Sequence, residues 1–197
     1  MKGFLILMVS AFVACNNAPE QNSGIMPETI SDSGFTNKAE AKNITVNELK
    51  EGKWVEYYKF YPYSGLKVTT DTNAPLYYLT IYSSGKPSGL VRSYYKNGKI
   101  ESISFYSNGQ SNGVSKKFYE NGTVAMETPT LNGKLNGTSK MYYKSGKIES
   151  ESSYKDGQPN GMTKLYYENG KLKVEKNSIN GIDVTSKYYD STGHEIK

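Results

Sequence analysis

The chain has little of what catalytic sites are usually built from. Cysteine, histidine and tryptophan each occur once in 197 residues. Arginine also occurs once, as Arg92, so 23 of the 24 basic residues (24 − 1) are lysine. A single histidine, His194 beside the C-terminus, argues against Ser-His-Asp or Cys-His constellations and against a histidine metal centre. A single cysteine excludes an intrachain disulfide. Scarce arginine disfavours nucleic acid, whose recognition leans on the guanidinium fork. The net charge of +5 then reads as solvation of a thin sheet. Only 36% of residues are hydrophobic and the mean hydropathy is −0.65, lean for one conventional core.

Further signatures are missing. The glycine-rich links lack the G-x-x-x-x-G-K-[ST] spacing, so no phosphate loop is expected. Lys155-Asp156-Gly157 is a turn, and one Asp does not make a calcium loop. Glu101, Glu127, Glu149, Glu151 and Glu175 recur, and a glycosidase needs two such carboxylates. Three of them, however, have lysine partners by position, as shown below. No enzyme, metal or cofactor is expected.

What the chain does have is 18 tyrosines, 19 glycines and a fixed period. Tyr95 recurs as Tyr119, Tyr143 and Tyr167. Gly98, Gly109 and Gly89 each begin a series with the same 24-residue step. Such a period marks a repeat array. Each unit reads as a β-hairpin: Asn97-Gly98 separates Leu90–Lys96 from Lys99–Tyr106, and Asn-Gly favours a two-residue type I′ turn. Counting outward sets Arg92 opposite Ile103 and Tyr95 opposite Ile100. In the following units Lys116 faces Glu127, Lys140 faces Glu151 and Lys164 faces Glu175.

Side chains alternate faces along a strand. Tyr95, Tyr119, Tyr143 and Tyr167 share a face with Ile100, Val124, Ile148 and Leu172, taken as the buried stripe. The other face carries Arg92, Tyr94, Lys116, Phe118, Lys140, Tyr142, Lys164 and Tyr166. It is aromatic yet amphipathic, and it is the candidate binding face for a protein partner. A phospholipid or glycan ligand is the alternative. The fold expected is all-β: an elongated, single-layer antiparallel meander or solenoid of tandem 24-residue β-hairpin repeats.

The rest of the chain frames this array. Residues 1–14 read as a signal peptide: Lys2, a short apolar run Phe4–Val13, then Ala14 before the sole cysteine. Phe12-Val13-Ala14-Cys15 resembles the lipobox of bacterial lipoproteins. That resemblance implies a lipid on Cys15 and a cell-envelope location, with the outer membrane or cell surface favoured over the inner membrane. Residues 15–43 read as a flexible tether, with a short helix in 38–51. Residues 44–85 form a degenerate capping repeat, with Trp54 as a core residue and a long connection at 59–77. Residues 86–181 hold four regular repeats. Residues 182–197 form a partial C-terminal cap, shifted by two residues. Pro129 cannot donate to a ladder, so its strand should be short or bulged.

The units YYKNGKIES, FYENGTVAM, YYKSGKIES and YYENGKLKV, each with a following Gly-x-x-x-Gly link, resemble the MORN-repeat variant family over about residues 52–197. The resemblance implies hairpin arrays that bind proteins or lipid head groups, and it carries over no catalytic residues. Bacterial members are often exported or lipidated. Some are described as antitoxin-like, which gives a third reading, an inhibitor protein.

Overall fold

Where this chain reverses is decided mainly by glycine preceded by a small polar residue, most often asparagine, and two turn chemistries alternate along the repeats. The computed structural model describes residues 35–62 and 64–196. The leader, Cys15 and the tether up to residue 34 lie outside the described residues. The described residues form one open antiparallel sheet of 17 strands, several only two residues long. The long strands follow one another as a meander: Leu49–Tyr61, Leu76–Ser83, Gly89–Tyr95, Ile100–Ser107, Gly113–Phe118, Val124–Leu131, Gly137–Tyr142, Ile148–Lys155, Gln158–Tyr166, Leu172–Ile179 and Ile182–Tyr189. Each pairs with the next.

The type I′ turns are not at Asn97-Gly98 but at the other end of each unit. Asn108 and Gly109 both have positive φ, at 51° and 79°, and Ser107 pairs directly with Gln110 across them. Asn132-Gly133, Asp156-Gly157 and Asn180-Gly181 repeat this geometry. At Asn97-Gly98 only the glycine has positive φ. There Gly98 N–H donates to the Tyr95 carbonyl and Tyr95 N–H to the Lys99 carbonyl, a four-residue turn. The Asn97 side chain accepts from Lys99 N–H, which holds the asparagine on the negative-φ side of the turn.

That longer turn is followed by a one-residue β-bulge. Tyr94 pairs with Ile100 but Ser93 with Ser102, leaving Glu101 as the extra residue. Ala125, Glu149 and Lys173 are the extra residues of the next three units. Ile100 therefore faces Tyr94 rather than Tyr95, and the expected buried stripe does not form. Ile100 is exposed and Tyr95 only half-buried.

The tyrosine series staples one unit to the next instead. Tyr95 donates its hydroxyl to the Phe118 carbonyl at 2.7 Å, and Tyr119 and Tyr143 donate to the Tyr142 and Tyr166 carbonyls at 2.6 Å. Tyr167 reaches the Tyr189 carbonyl at 2.9 Å. Tyr119→Phe removes one staple with the ring kept, and is expected to cost about 0.5–1.5 kcal/mol. Urea denaturation measures it; no loss of stability would make the phenol a bystander.

The staples also show how the array ends. Gly193 N–H donates to Asp190 and Asp190 N–H to His194, the pattern that Gly170, Tyr167 and Lys171 make one unit earlier. The slip at the C-terminus is thus one residue, not two, and Asp190 stands where a staple tyrosine would. His194 is exposed beside it. Only Glu195–Ile196 follows as a strand.

Pro129 does not shorten its strand, which runs the full Val124–Leu131. On one side it pairs with Val114. On the other the ladder is already interrupted, between the Thr130–Leu135 and Glu127–Lys140 pairs, so the missing N–H is not needed. A Cβ on the facing Gly137 would lie 3.2 Å from the proline ring, so that glycine leaves the room the ring uses.

The main buried cluster among the described residues sits at the N-terminal end. Phe35, Leu79 and Tyr94 cluster there, with Ala41, Val55, Tyr77 and Ile81 against them. The segment 38–51 holds one turn of 3-10 helix, Lys38–Glu40, and then a hairpin, Ile44–Val46 with Leu49–Glu51. Asn47 and Glu48 at its turn both take positive φ, which wins over the helical propensity of VNELKEG. Trp54 packs edge-on to Tyr82 with its centroid 6.0 Å away and donates to the Ile44 and Glu51 carbonyls. The long connection is itself a hairpin, Phe60 and Tyr61 pairing with Leu66 and Gly65.

Candidate functional site

The face chosen from the sequence divides in two. Arg92 and Tyr94 are each only 6% exposed. Arg92 donates to the Phe35 carbonyl at 3.3 Å, and Tyr94 stacks on Tyr77 with centroids 5.0 Å apart. The Phe35 segment lies over this end of the sheet, so these two residues belong to the packed cap and present no binding surface.

From Lys116 onward the face is open. The bulges restore the register there, and the three expected lysine–glutamate pairs all form. Lys116 Nζ lies 2.9 Å from Glu127, Lys140 3.2 Å from Glu151 and Lys164 3.8 Å from Glu175. The sequence did not suggest that the pairing continues between hairpins. Glu127 is also opposite Lys140, Glu151 opposite Lys164, and Glu175 opposite Lys187. Seven residues, Lys116–Glu127–Lys140–Glu151–Lys164–Glu175–Lys187, therefore make one row of alternating charge across seven strands. With strands about 4.8 Å apart, like charges recur about every 10 Å. The signal was present in the sequence as Lys and Glu at the same 24-residue step, but the second set of partners depends on the type I′ links.

Tyrosines complete the row. Tyr142 donates its hydroxyl to Glu127 at 3.0 Å and Tyr166 to Glu151 at 3.4 Å. The Lys116 ammonium, then the Tyr142 hydroxyl, hold the Glu127 carboxyl below its usual range. Partial burial, then the carboxylate of Glu127, pushes the Tyr142 phenol up to about 12. Partial burial and Glu151 push Tyr166 the same way. Phe118 is half-buried and has no hydroxyl with which to join the row. A shallow depression lined by Thr138, Lys140, Glu151, Ser153, Met162 and Lys164 lies along it.

Chemically the row is a set of paired charges and phenols on an open face. Its carboxylates are already held by lysines and phenols, which leaves none poised as a general acid or base. Among the described residues no group of three His, Cys, Asp or Glu is placed to hold a metal. The Glu101 carboxylate, 6% exposed, is bound by Ser93 and lies 2.9 Å from Lys117 Nζ. Ser93 is fully buried, so this cluster is a structural tie. One exposed feature was missed from sequence: the hairpin of the long connection carries Phe60 at 66% and Val68 at 59% exposure.

A family model, the MORN repeat variant, matches four consecutive stretches of the chain: residues 87–108, 111–132, 135–156 and 159–180. Residues 52–86 and 181–197, included in the resemblance read from sequence, lie outside that match. No curated protein matches the chain.

Proposed function

Because its four repeats within residues 87–180 match the MORN repeat variant, we propose that the chain is a non-enzymatic, membrane-anchored scaffold that binds a protein partner on its tyrosine- and lysine-bearing face. Repeats of this kind commonly serve membrane or protein binding and are generally non-catalytic. The observation that carries the reading is the open row of alternating charge from Lys116 to Lys187 with its paired phenols. A patch made to attract anionic phospholipid concentrates unpaired lysines. Here three glutamates alternate with four lysines, so the surface is close to neutral and patterned. A patterned surface discriminates among partners by the charges it opposes, which favours a protein over a lipid head group. Tyrosine beside that row supplies the rigid, amphipathic contacts typical of protein interfaces.

The anchor is the lipid on Cys15, and the location is the cell envelope. The leader residues quoted above support this: Lys2, the apolar run and Ala14-Cys15. An export leader weighs against inhibition of a cytoplasmic toxin, so the antitoxin-like reading stands behind the scaffold. Glycan binding keeps one argument, since phenols stack on sugar rings.

Inverting the whole row tests the face without breaking its pairs. The variant carries Lys116→Glu, Glu127→Lys, Lys140→Glu, Glu151→Lys, Lys164→Glu, Glu175→Lys and Lys187→Glu. Each cross-strand neighbour within the row keeps an opposite charge, so far-UV CD should stay that of the parent, while loss of the Tyr142 and Tyr166 bonds to Glu127 and Glu151 lowers Tm modestly. Affinity capture from native membranes without a lysine-reactive cross-linker, read by mass spectrometry, should then lose a protein that the parent captures. Undiminished capture of the same protein would remove this face from consideration. Retention of polysaccharide or phospholipid with no protein would favour the alternative.

A further inference from the structure

The long connection of the first unit projects from the sheet as a hairpin. The strand Leu49–Tyr61 pairs with Leu76–Ser83 only as far as Tyr58 opposite Leu76. Beyond that rung, residues 59–61 pair with residues 65–67 alone. Ser64 N–H donates to the Tyr61 carbonyl at 3.2 Å, and Gly65, at a φ of 72°, lets the chain return. This hairpin lies outside the four stretches that match the repeat family. A two-stranded ribbon with nothing packed on it is marginal in water.

Its two faces differ in chemistry. On one, Lys59 stands directly opposite Lys67, and both are exposed. Neither has an ion pair among the described residues. Like charges directly opposite each other destabilise a ladder. In the repeats the lysine of the first strand faces a glutamate instead. The other face is apolar. Phe60 is opposite Leu66 and Tyr58 opposite Val68, with Phe60, Leu66 and Val68 exposed. That face continues into a depression lined by Phe60, Leu66, Leu76 and Tyr95, with Lys96 and Glu120 also in its wall. Tyr61 and Pro62 are exposed at the tip.

A repelling pair of cations calls for an anion, and exposed apolar side chains call for cover. An anionic phospholipid surface supplies both at once. Each lysine held near such a surface strengthens partition about fivefold. Tyrosine and its aromatic neighbours settle at head-group level, where the backbone still meets water. Lysine is depleted where proteins meet proteins, which weighs against a protein occupant. The spacing also fits: Lys59 and Lys67 lie two rungs, about 7 Å, behind the tip pair of Tyr61 and Gly65. A tip sunk into the head groups therefore holds both ammonium groups near the phosphates.

We infer that the hairpin of residues 59–68 is a membrane contact, entering an anionic phospholipid bilayer tip first with Lys59 and Lys67 against the lipid phosphates. It rests on the membrane-anchored reading only in that an anchor would keep a bilayer within reach. No residue of the row from Lys116 to Lys187 takes part, so that row stays open to a protein while the hairpin holds the lipid.

The test uses the full chain with Cys15→Ser, which removes the sole thiol and any lipid on it. Failure of the hairpin is thereby separated from failure of the anchor. An environment-sensitive nitrobenzoxadiazole dye is attached through Ser64→Cys at the tip or, as control, through Ser145→Cys in a repeat turn. The vesicles are phosphatidylcholine alone, or phosphatidylcholine and phosphatidylglycerol in equal parts. On the mixed vesicles the tip dye should brighten at least threefold and shift to the blue, with little response on phosphatidylcholine alone and none at 145. Lys59→Gln with Lys67→Gln should move the midpoint of the tip response to at least tenfold more lipid, with the CD spectrum intact because both residues are exposed. A tip dye that stays in water on the mixed vesicles overturns the proposal. So does an equal response at 145, a response of equal size on both vesicle types, or a midpoint unmoved by the lysine changes. A tip that answers to no vesicle but cross-links to a protein in native membranes overturns it as well.

Discussion

Phe35→Ala is expected to unfold the N-terminal end of the sheet while leaving the later repeats folded. Phe35 is 1% exposed and packs against Leu79 and Tyr94, the two other members of the main buried cluster. Removing a buried phenyl costs about 3–5 kcal/mol, a large share of the roughly 5–15 kcal/mol that holds a typical domain together. Two other contacts go with the ring. The Lys53 ammonium lies 5.4 Å from its centroid, and the carbonyl that Arg92 holds loses its anchor. The loss stays local because the array is nearly one-dimensional: each repeat contacts only its neighbours, so a defect weakens one unit and its adjoining interface. Hydrogen exchange read by mass spectrometry should show lost protection in 49–61 and 76–83, with 137–189 unchanged. Uniform loss along the chain would mean the sheet unfolds as a single unit; unchanged exchange at 49–61 would mean Phe35 is a passenger. In the variant Arg92 and Tyr94 become accessible, so the open face gains the first two residues that the sequence assigned to it.

The lysine–glutamate pairing was legible in the sequence for a reason that the structure makes plain. A two-residue turn at Asn97-Gly98 would put residues whose numbers sum to 195 opposite each other. The actual turn starts the ladder one lower, with Tyr94 opposite Ile100, and the bulge at Glu101 adds the residue back, so Ser93 faces Ser102. Lys116 and Glu127, beyond the equivalent bulge at Ala125, therefore meet as counted. The tyrosine stripe lies on the turn side of the bulge, where the count fails, and so Tyr95 and Ile100 were wrongly matched. Periodicity reports what recurs; it does not report which of two Asn-Gly series takes the tighter turn, because both dipeptides tolerate positive φ and the local hydrogen bonds decide. The burial of Arg92 and Tyr94 was illegible for a different reason. They match Lys116 and Phe118 in the repeat, and only the non-repeating Phe35, 57 residues before Arg92, sets them apart.

Raising the pH above about 10 should unfold the sheet cooperatively, because the fold holds its phenols protonated. Burial, then the nearby Glu56 carboxylate, pushes Tyr58 up to about 12. Burial and the Glu127 carboxylate bring Tyr142 to about the same value. Tyr82, which donates to the nearly buried Glu56 at 2.8 Å, is raised further. Tyr77, Tyr78, Tyr95, Tyr143 and Tyr166 shift in the same direction, burial being the first cause in each. The unfolded chain releases these protons near the ordinary tyrosine value of about 10. Folded pKa values above unfolded ones mean that the stability they represent is complete below pH 10 and drains away as pH climbs toward 12. The chemistry is direct: a phenolate cannot donate, so an ionised Tyr95 or Tyr143 faces its carbonyl acceptor with repulsion, and an ionised Tyr142 faces Glu127. Tyrosinate absorbance and far-UV CD followed together should change in one transition that begins above pH 10. Phenols that titrate independently near 10 with the CD signal intact would show that the staples contribute nothing to the array. Tyr58→Phe separates phenol-driven unfolding from any contribution of the lysines, which it leaves in place. With one strongly raised phenol removed and every lysine kept, the alkaline midpoint should move up relative to the variant's own stability at pH 7, whereas lysine-driven unfolding would leave it where it was.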